Sequence, residues 1–77
     1  KLYFLPQATG KGYGEQVIQE VIRRARAHGE HFLWLEVLDA NPQARRFYER
    51  QGFQHLRDTV FSTASQQSTL HILGKAI

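Results

Sequence analysis

Thr9-Gly10-Lys11-Gly12-Tyr13-Gly14 is the stretch on which the reading of this chain turns. Three glycines alternate with other residues between a short apolar segment, Leu2-Tyr3-Phe4-Leu5, and a long amphipathic stretch that begins near Glu15. That is the place where a strand would turn into a helix. Glycine admits positive φ and lets a ligand approach without a Cβ in the way. The first free N–H groups of the following helix point into such a turn, at the positive end of the helix dipole. Two readings stand for the loop taken alone. One is a tight turn that needs glycine, and the other is a phosphate site built from backbone N–H groups, with Lys11 as an added point charge. The spacing excludes a Walker A loop, because no Gly-Lys-Ser/Thr follows. It also excludes the G-x-G-x-x-G dinucleotide fingerprint, because the glycines run G-x-G-x-G.

Working outward, Pro6 ends the first strand by removing a donor. Val17, Ile18, Val21, Ile22 and Ala25 form one apolar stripe, which predicts a helix from Glu15 to about His28, stopped by Gly29. Phe32-Leu33-Trp34-Leu35-Glu36-Val37 is nearly all apolar, as in a strand covered on both faces. A strand, a helix and a strand in this order form a right-handed crossover between parallel strands. Asn41-Pro42 begins a second helix, with Asn as cap and Pro at its first position, and Gly52 ends it. Ala44, Phe47, Tyr48 and Gln51 share one face of it. Phe53 to about Thr63 reads as a strand, Ser65-Gln66-Gln67-Ser68 as a polar turn, and Thr69 to Ile77 as a last strand. The last two strands are expected to form an antiparallel hairpin. The fold class is therefore α/β (α+β), in the order β-α-β-α-β-β. There is no internal repeat and no domain-dividing linker, so residues 1–77 are taken as one piece.

A chain of 77 residues allows one small domain with a modest core. No cysteine is present, which excludes disulfides, iron–sulfur clusters and thiolate zinc sites and is compatible with a cytoplasmic protein. No apolar run approaches the ~20 residues that a spanning helix needs, so no membrane role is expected. The chain begins at Lys1, almost directly on a strand, as expected of a piece of a larger protein.

The net charge is +3, with basic groups at Arg23, Arg24 and Arg26 and again at Arg45, Arg46 and Arg50. These read either as solvated helix faces or as a field that attracts an anionic ligand. Nucleic-acid binding is disfavoured, because the aromatic residues are not interleaved with the basic ones as stacking platforms. The histidines His28, His31, His55 and His71 show no i, i+4 or E-x-x-H spacing, so no metal site is expected and they read as surface or partly buried side chains. Asn41 is a helix cap that can also meet a ligand beside the helix start. Phe47 and Tyr48 are core aromatics, or, for the hydroxyl of Tyr48, a partner to a ligand atom.

Taken together, the loop and the downstream run Asn41-x-x-Ala44-x-x-Phe47-Tyr48-x-x-x-Gly52-Phe53 resemble the C-terminal half of a GNAT superfamily N-acetyltransferase. The resemblance covers nearly the whole chain. The family loop has the pattern Arg/Gln-x-x-Gly-x-Gly/Ala. Gly12 and Gly14 match it, and Thr9 stands where Arg or Gln is usual.

The resemblance implies two splayed parallel strands with acetyl-CoA as cosubstrate between them and a primary amine as acceptor. It places the pantetheine arm along Tyr3, Phe4 and Leu5, and the pyrophosphate on the loop Thr9, Gly10, Lys11, Gly12, Tyr13 and Gly14. It gives Asn41 a hydrogen bond to the pantetheine and sets Tyr48 toward the sulfur as general acid. A backbone N–H near Leu5 would steady the oxyanion. Glu36 is either a structural carboxylate or a base acting through water, and the general base is otherwise unassigned. The family's earlier strands and helices, which form much of the acceptor pocket, precede what this chain carries. An apolar strand edge at Leu2–Leu5 would then pair with a second copy or with the missing half. A non-catalytic CoA-binding or assembly fragment is the alternative function, and a nucleic-acid-binding fragment using the arginine clusters is a more distant one.

Overall fold

The computed structural model describes residues 2–4 and 14–77, and of Leu2 and Tyr3 only the backbone. The elements are β1 (Leu2–Phe4), α1 (Glu15–Ala27), β2 (Phe32–Leu38), α2 (Pro42–Arg50), β3 (Gln54–Ser62) and β4 (Gln67–Ala76). The expected order β-α-β-α-β-β is the observed one. β1 and β2 are parallel, with Leu2 opposite Phe32 and Phe4 opposite Trp34. β2 continues to Leu38, beyond the last described residue of β1.

The four strands form one sheet in the order β1-β2-β4-β3. The last strand of the chain is therefore inserted between β2 and β3, antiparallel to both. Its central run, His71-Ile72-Leu73-Gly74, is buried. β3 lies at the sheet edge, and Leu56, Val60 and Phe61 on it are exposed.

The core forms where both helices deliver apolar side chains to one face of this sheet. Ile18 and Ile22 of α1 and Tyr48 of α2 pack with Leu33, Leu35 and Val37 of β2, Phe53, and Leu73 of β4. Covering of β2 on both faces was expected, and here the structure differs. Leu33, Leu35 and Val37 are buried, whereas the alternate residues Phe32, Trp34 and Glu36 are half-buried. The period of two in a strand puts these sets on opposite faces, and both helices pack against the first. On the other face the Trp34 ring meets that of Phe4 in a tilted contact, with ring centroids 4.6 Å apart. The stripe of α1 is also narrower than its spacing predicts. Ile18, Ile22 and Ala25 are buried, Val21 is half-buried and Val17 is exposed.

The hairpin turn is shifted as well. Gln67 and Ser68 pair with Ser62 and Phe61, so they belong to β4 rather than to the turn. The turn is Thr63–Gln66, closed by the Thr63 N–H donating to the Gln66 carbonyl at 2.8 Å.

Both helices end as glycine dictates. Gly29 follows α1 at φ 81° and Gly52 follows α2 at φ 95°. At α2 the Lys75 ammonium donates to the Gln51 carbonyl at 2.7 Å, a cation at the negative end of the helix. A Cβ at Gly52 would lie 3.2 Å from that Lys75 Nζ, whereas one at Gly29 would meet open space. Gly52→Ala is therefore expected to cost about 1–2 kcal/mol from the left-handed backbone alone, and more than Gly29→Ala. Urea unfolding of both variants checks this, and equal losses would count against a role for the Lys75 contact.

Candidate functional site

The site expected from sequence has two parts, the start of α1 and the start of α2. Leu5, Thr9, Gly10, Lys11, Gly12 and Tyr13 lie outside the described residues, as does the side chain of Tyr3. Gly14 is the N-cap of α1, at φ −78° and ψ 167°. That backbone is extended and open to any residue. Among the described residues no side chain caps this helix end, and the first intrahelical bond is Ile18 N–H to the Gly14 carbonyl at 3.1 Å. Helix geometry leaves the N–H groups before Ile18 without intrahelical partners. A Cβ built on Gly14 would meet nothing within 4 Å. Glycine at this position thus answers neither a strained φ nor a crowded neighbour within the described fold.

At the second part, Asn41 caps α2, its Oδ1 accepting from the Ala44 N–H at 3.2 Å. Asn41 is exposed, so the cap leaves part of the amide free to meet solvent or a ligand. Tyr48 is 1% exposed and lies about two turns further on. Its ring lies edge-on to Phe47 at 5.3 Å and to Phe53 at 5.8 Å. The ring therefore has a packing role whatever its hydroxyl does. Glu36 is half-buried on the sheet face away from the helices, opposite Ile72.

Three of the six clustered arginines, Arg23, Arg24 and Arg45, pair along their own helices. Arg23 and Arg24 both donate to Glu20, at 2.5 and 2.6 Å, and these contacts lower the Glu20 carboxyl to about 2. Arg45 donates to Glu49 at 3.2 Å. Exposed pairs of this kind contribute little stability. They fit solvated helix faces better than a continuous basic patch.

A third constellation is absent from the sequence reading. His71 on β4, with 11% of its side chain exposed, stands between two carboxylates. Its Nδ1 is 2.6 Å from Asp58 Oδ1 and its Nε2 is 2.7 Å from Asp39 Oδ1. His55 Nε2 is 2.6 Å from the same Asp58 oxygen. Hydrogen bonds to Asp58 and then Asp39 raise His71 above its usual range, against desolvation and the nearby Arg45. Hydrogen bonds from His71 and His55 lower Asp58. A β-bulge makes this grouping. Asp58 pairs with His71 and His55 with Leu73, and the register shifts between His55 and Arg57. Three residues apart on a regular strand, His55 and Asp58 would face opposite ways. The extra residue, Leu56, turns both to the face of His71. No sequence spacing reveals such a shift.

Comparison with known proteins agrees with this architecture. An Arabidopsis thaliana protein, NAA60, solved in complex with a bisubstrate analogue, superposes with a TM-score of 0.74 at 20% identity, over 88% of this chain and 41% of that one. A putative acetyltransferase from Agrobacterium tumefaciens superposes at 0.69 with 24% identity, over 96% and 57%. At these identities the likeness is one of fold. In sequence, an uncharacterized N-acetyltransferase of Lactobacillus delbrueckii is 26% identical over the whole chain and 44% of its own length. Another, YycN of Bacillus subtilis, is 42% identical over 69% of this chain and 33% of its own. The chain thus spans less than half the length of these curated relatives. Residues 1–53 match the acetyltransferase (GNAT) family, a span that holds the glycine loop, the Asn41 cap and Tyr48. With both motifs inside that match, which takes in more than half of the chain, the chain belongs to the GNAT acetyltransferase family.

Proposed function

We propose that this chain is the coenzyme-binding half of an N-acetyltransferase that moves an acetyl group from acetyl-CoA to a primary amine. The observation that carries the reading is the start of α1. It is a helix N-terminus that no described side chain caps, behind a glycine whose missing Cβ leaves open space among the described residues. Such an end presents N–H groups and a positive dipole to a phosphate. The family match supports acetyl-CoA as the molecule that supplies the phosphates, and the neighbour solved with a bisubstrate analogue supports a site that holds two substrates.

When bound, acetyl-CoA supplies an acetyl thioester that a neutral amine attacks. The chain's own residues then have separate tasks. The loop Thr9–Gly14 holds the pyrophosphate, and the β1 backbone at Tyr3 and Phe4, with Leu5 next in the chain, lines the pantetheine arm. Asn41 holds the arm from the start of α2 while capping that helix. A backbone N–H near Leu5 has the task of stabilising the oxygen on which negative charge develops. A tyrosine hydroxyl is protonated at neutral pH, so Tyr48 can give its proton to the departing sulfur. Packing against Phe47 and Phe53 limits where that hydroxyl can be aimed. The rest of the acceptor pocket belongs to the segment that adds a strand beside the β1 edge, or to a second copy placed there.

The alternative is a coenzyme-binding fragment without turnover. Acetyl transfer to a panel of primary amines by the full-length protein separates the two, and absence of transfer despite CoA binding would favour the alternative. Gly14→Ala tests the site itself. Its backbone suits alanine, so the fold is expected to lose at most about 1 kcal/mol through the poorer cap. CoA affinity is expected to fall about tenfold or more, a change of ~1.4 kcal/mol. Calorimetry with CoA measures it, and unchanged affinity would remove the start of α1 from the site.

A further inference from the structure

We propose that His55, Asp58 and His71 bind a divalent transition metal of the zinc class, with Asp39 holding His71 in position. Each of the three offers one donor atom, and these atoms lie within 4.8 Å of one another. Two imidazole nitrogens and a carboxylate oxygen are a donor set for zinc. Calcium and magnesium demand mostly oxygen. The three ligands lie on the β3–β4 hairpin, outside the residues that match the family, with Asp39 alone inside them, and the site does not depend on the acetyl-transfer reading.

The proton arrangement argues for a cation in the middle. Asp58 Oδ1 receives both His55 Nε2 and His71 Nδ1 at 2.6 Å, so without a metal each nitrogen must carry a hydrogen. His71 Nε2 also faces a carboxylate, Asp39, at 2.7 Å. His71 can satisfy both neighbours only as a doubly protonated ring. A metal replaces the two hydrogens that converge on Asp58. His71 then binds through Nδ1 and keeps Nε2–H for Asp39, the carboxylate–histidine–metal arrangement that fixes the tautomer of a ligating ring. Charge balances as well: two neutral imidazoles and two carboxylates carry −2, which a divalent ion cancels. Arg45 is the opposing positive group near His71, and it is itself paired with Glu49.

The movement required is small. Metal–donor bonds of about 2.0–2.2 Å in a tetrahedron set donors roughly 3.4 Å apart, so the present 2.6 Å contacts must widen. His71 is held in the sheet, with 11% of its side chain exposed. His55 and Asp58 are 38% and 49% exposed and free to rotate outward. Their exposure also leaves the fourth position open to water or to a small anionic ligand.

The test uses the full-length protein stripped with a chelator and dialysed. Zinc chloride titrated by calorimetry is expected to bind at a site that His55→Ala and Asp58→Asn each abolish or weaken by far more than tenfold. Asp39→Asn is expected to keep the stoichiometry and weaken binding about 10–100-fold, as loss of a supporting hydrogen bond does. Cobalt in place of zinc should give the visible absorption of a four-coordinate ion, lost in His55→Ala. Zinc should raise the Tm of the native protein by several degrees when free metal stands at about 100 times Kd, and not that of His55→Ala. His55 and Asp58 are exposed edge-strand residues, so circular dichroism of these variants is expected to match the parent. No zinc binding by the native protein, or binding that His55→Ala and Asp58→Asn leave intact, overturns the site.

Discussion

Tyr48→Phe is expected to lower kcat of the full-length enzyme by roughly 10²–10⁴, the usual contribution of a general acid, with KM for acetyl-CoA nearly unchanged. Tyr48 is 1% exposed, and its ring packs edge-on against Phe47 and Phe53. Phenylalanine keeps those ring contacts and removes only the hydroxyl. A fall in rate with little loss of stability therefore reports the proton, and a parallel fall in both reports packing. Steady-state kinetics with acetyl-CoA and the best amine of the panel, beside urea unfolding of the same variant, separates them. Normal turnover where chemistry limits the rate would refute the role.

Leu35→Ala is expected to be the most damaging change to the fold. Leu35 is 1% exposed in β2, the strand that joins the parallel pair to the antiparallel hairpin. It belongs to the cluster that also holds Ile18, Tyr48 and Leu73, so a cavity there loosens both helices at once. Burial of this kind costs about 2–5 kcal/mol when truncated to alanine, a large part of the roughly 5–15 kcal/mol that holds a domain folded. Val60→Ala serves as the contrast. Val60 is 62% exposed on the edge strand and should change stability by no more than about 0.5 kcal/mol. Urea midpoints at constant m-value decide the comparison, and a Leu35 loss no larger than that of Val60 would show that the core lies elsewhere.

Sequence alone determined what depends on neighbours along the chain. The stripe Ile18, Ile22 and Ala25 specifies a helix because a period near 3.6 puts those side chains on one face. Asn41-Pro42 specifies the start of α2 because one side chain takes the Ala44 N–H and the other lacks a donor that would go unused. Gly29 and Gly52 specify the helix ends because left-handed φ excludes most other residues. The family resemblance rests on the same local features.

Tertiary structure decided what depends on which strand lies beside which. The insertion of β4 between β2 and β3 is a choice among pairings that alternating residues permit equally. The one-sided burial of β2 follows from both helices packing on a single face, which an apolar run such as Phe32–Val37 does not reveal. The grouping of His55, Asp58, His71 and Asp39 needed a bulge at Leu56, the pairing of β3 with β4, and the return of the chain after β2. Those donors are separated by up to 32 positions in the chain. A side chain's face in a strand inverts with each residue, so one inserted residue decides whether His55 and Asp58 meet at all.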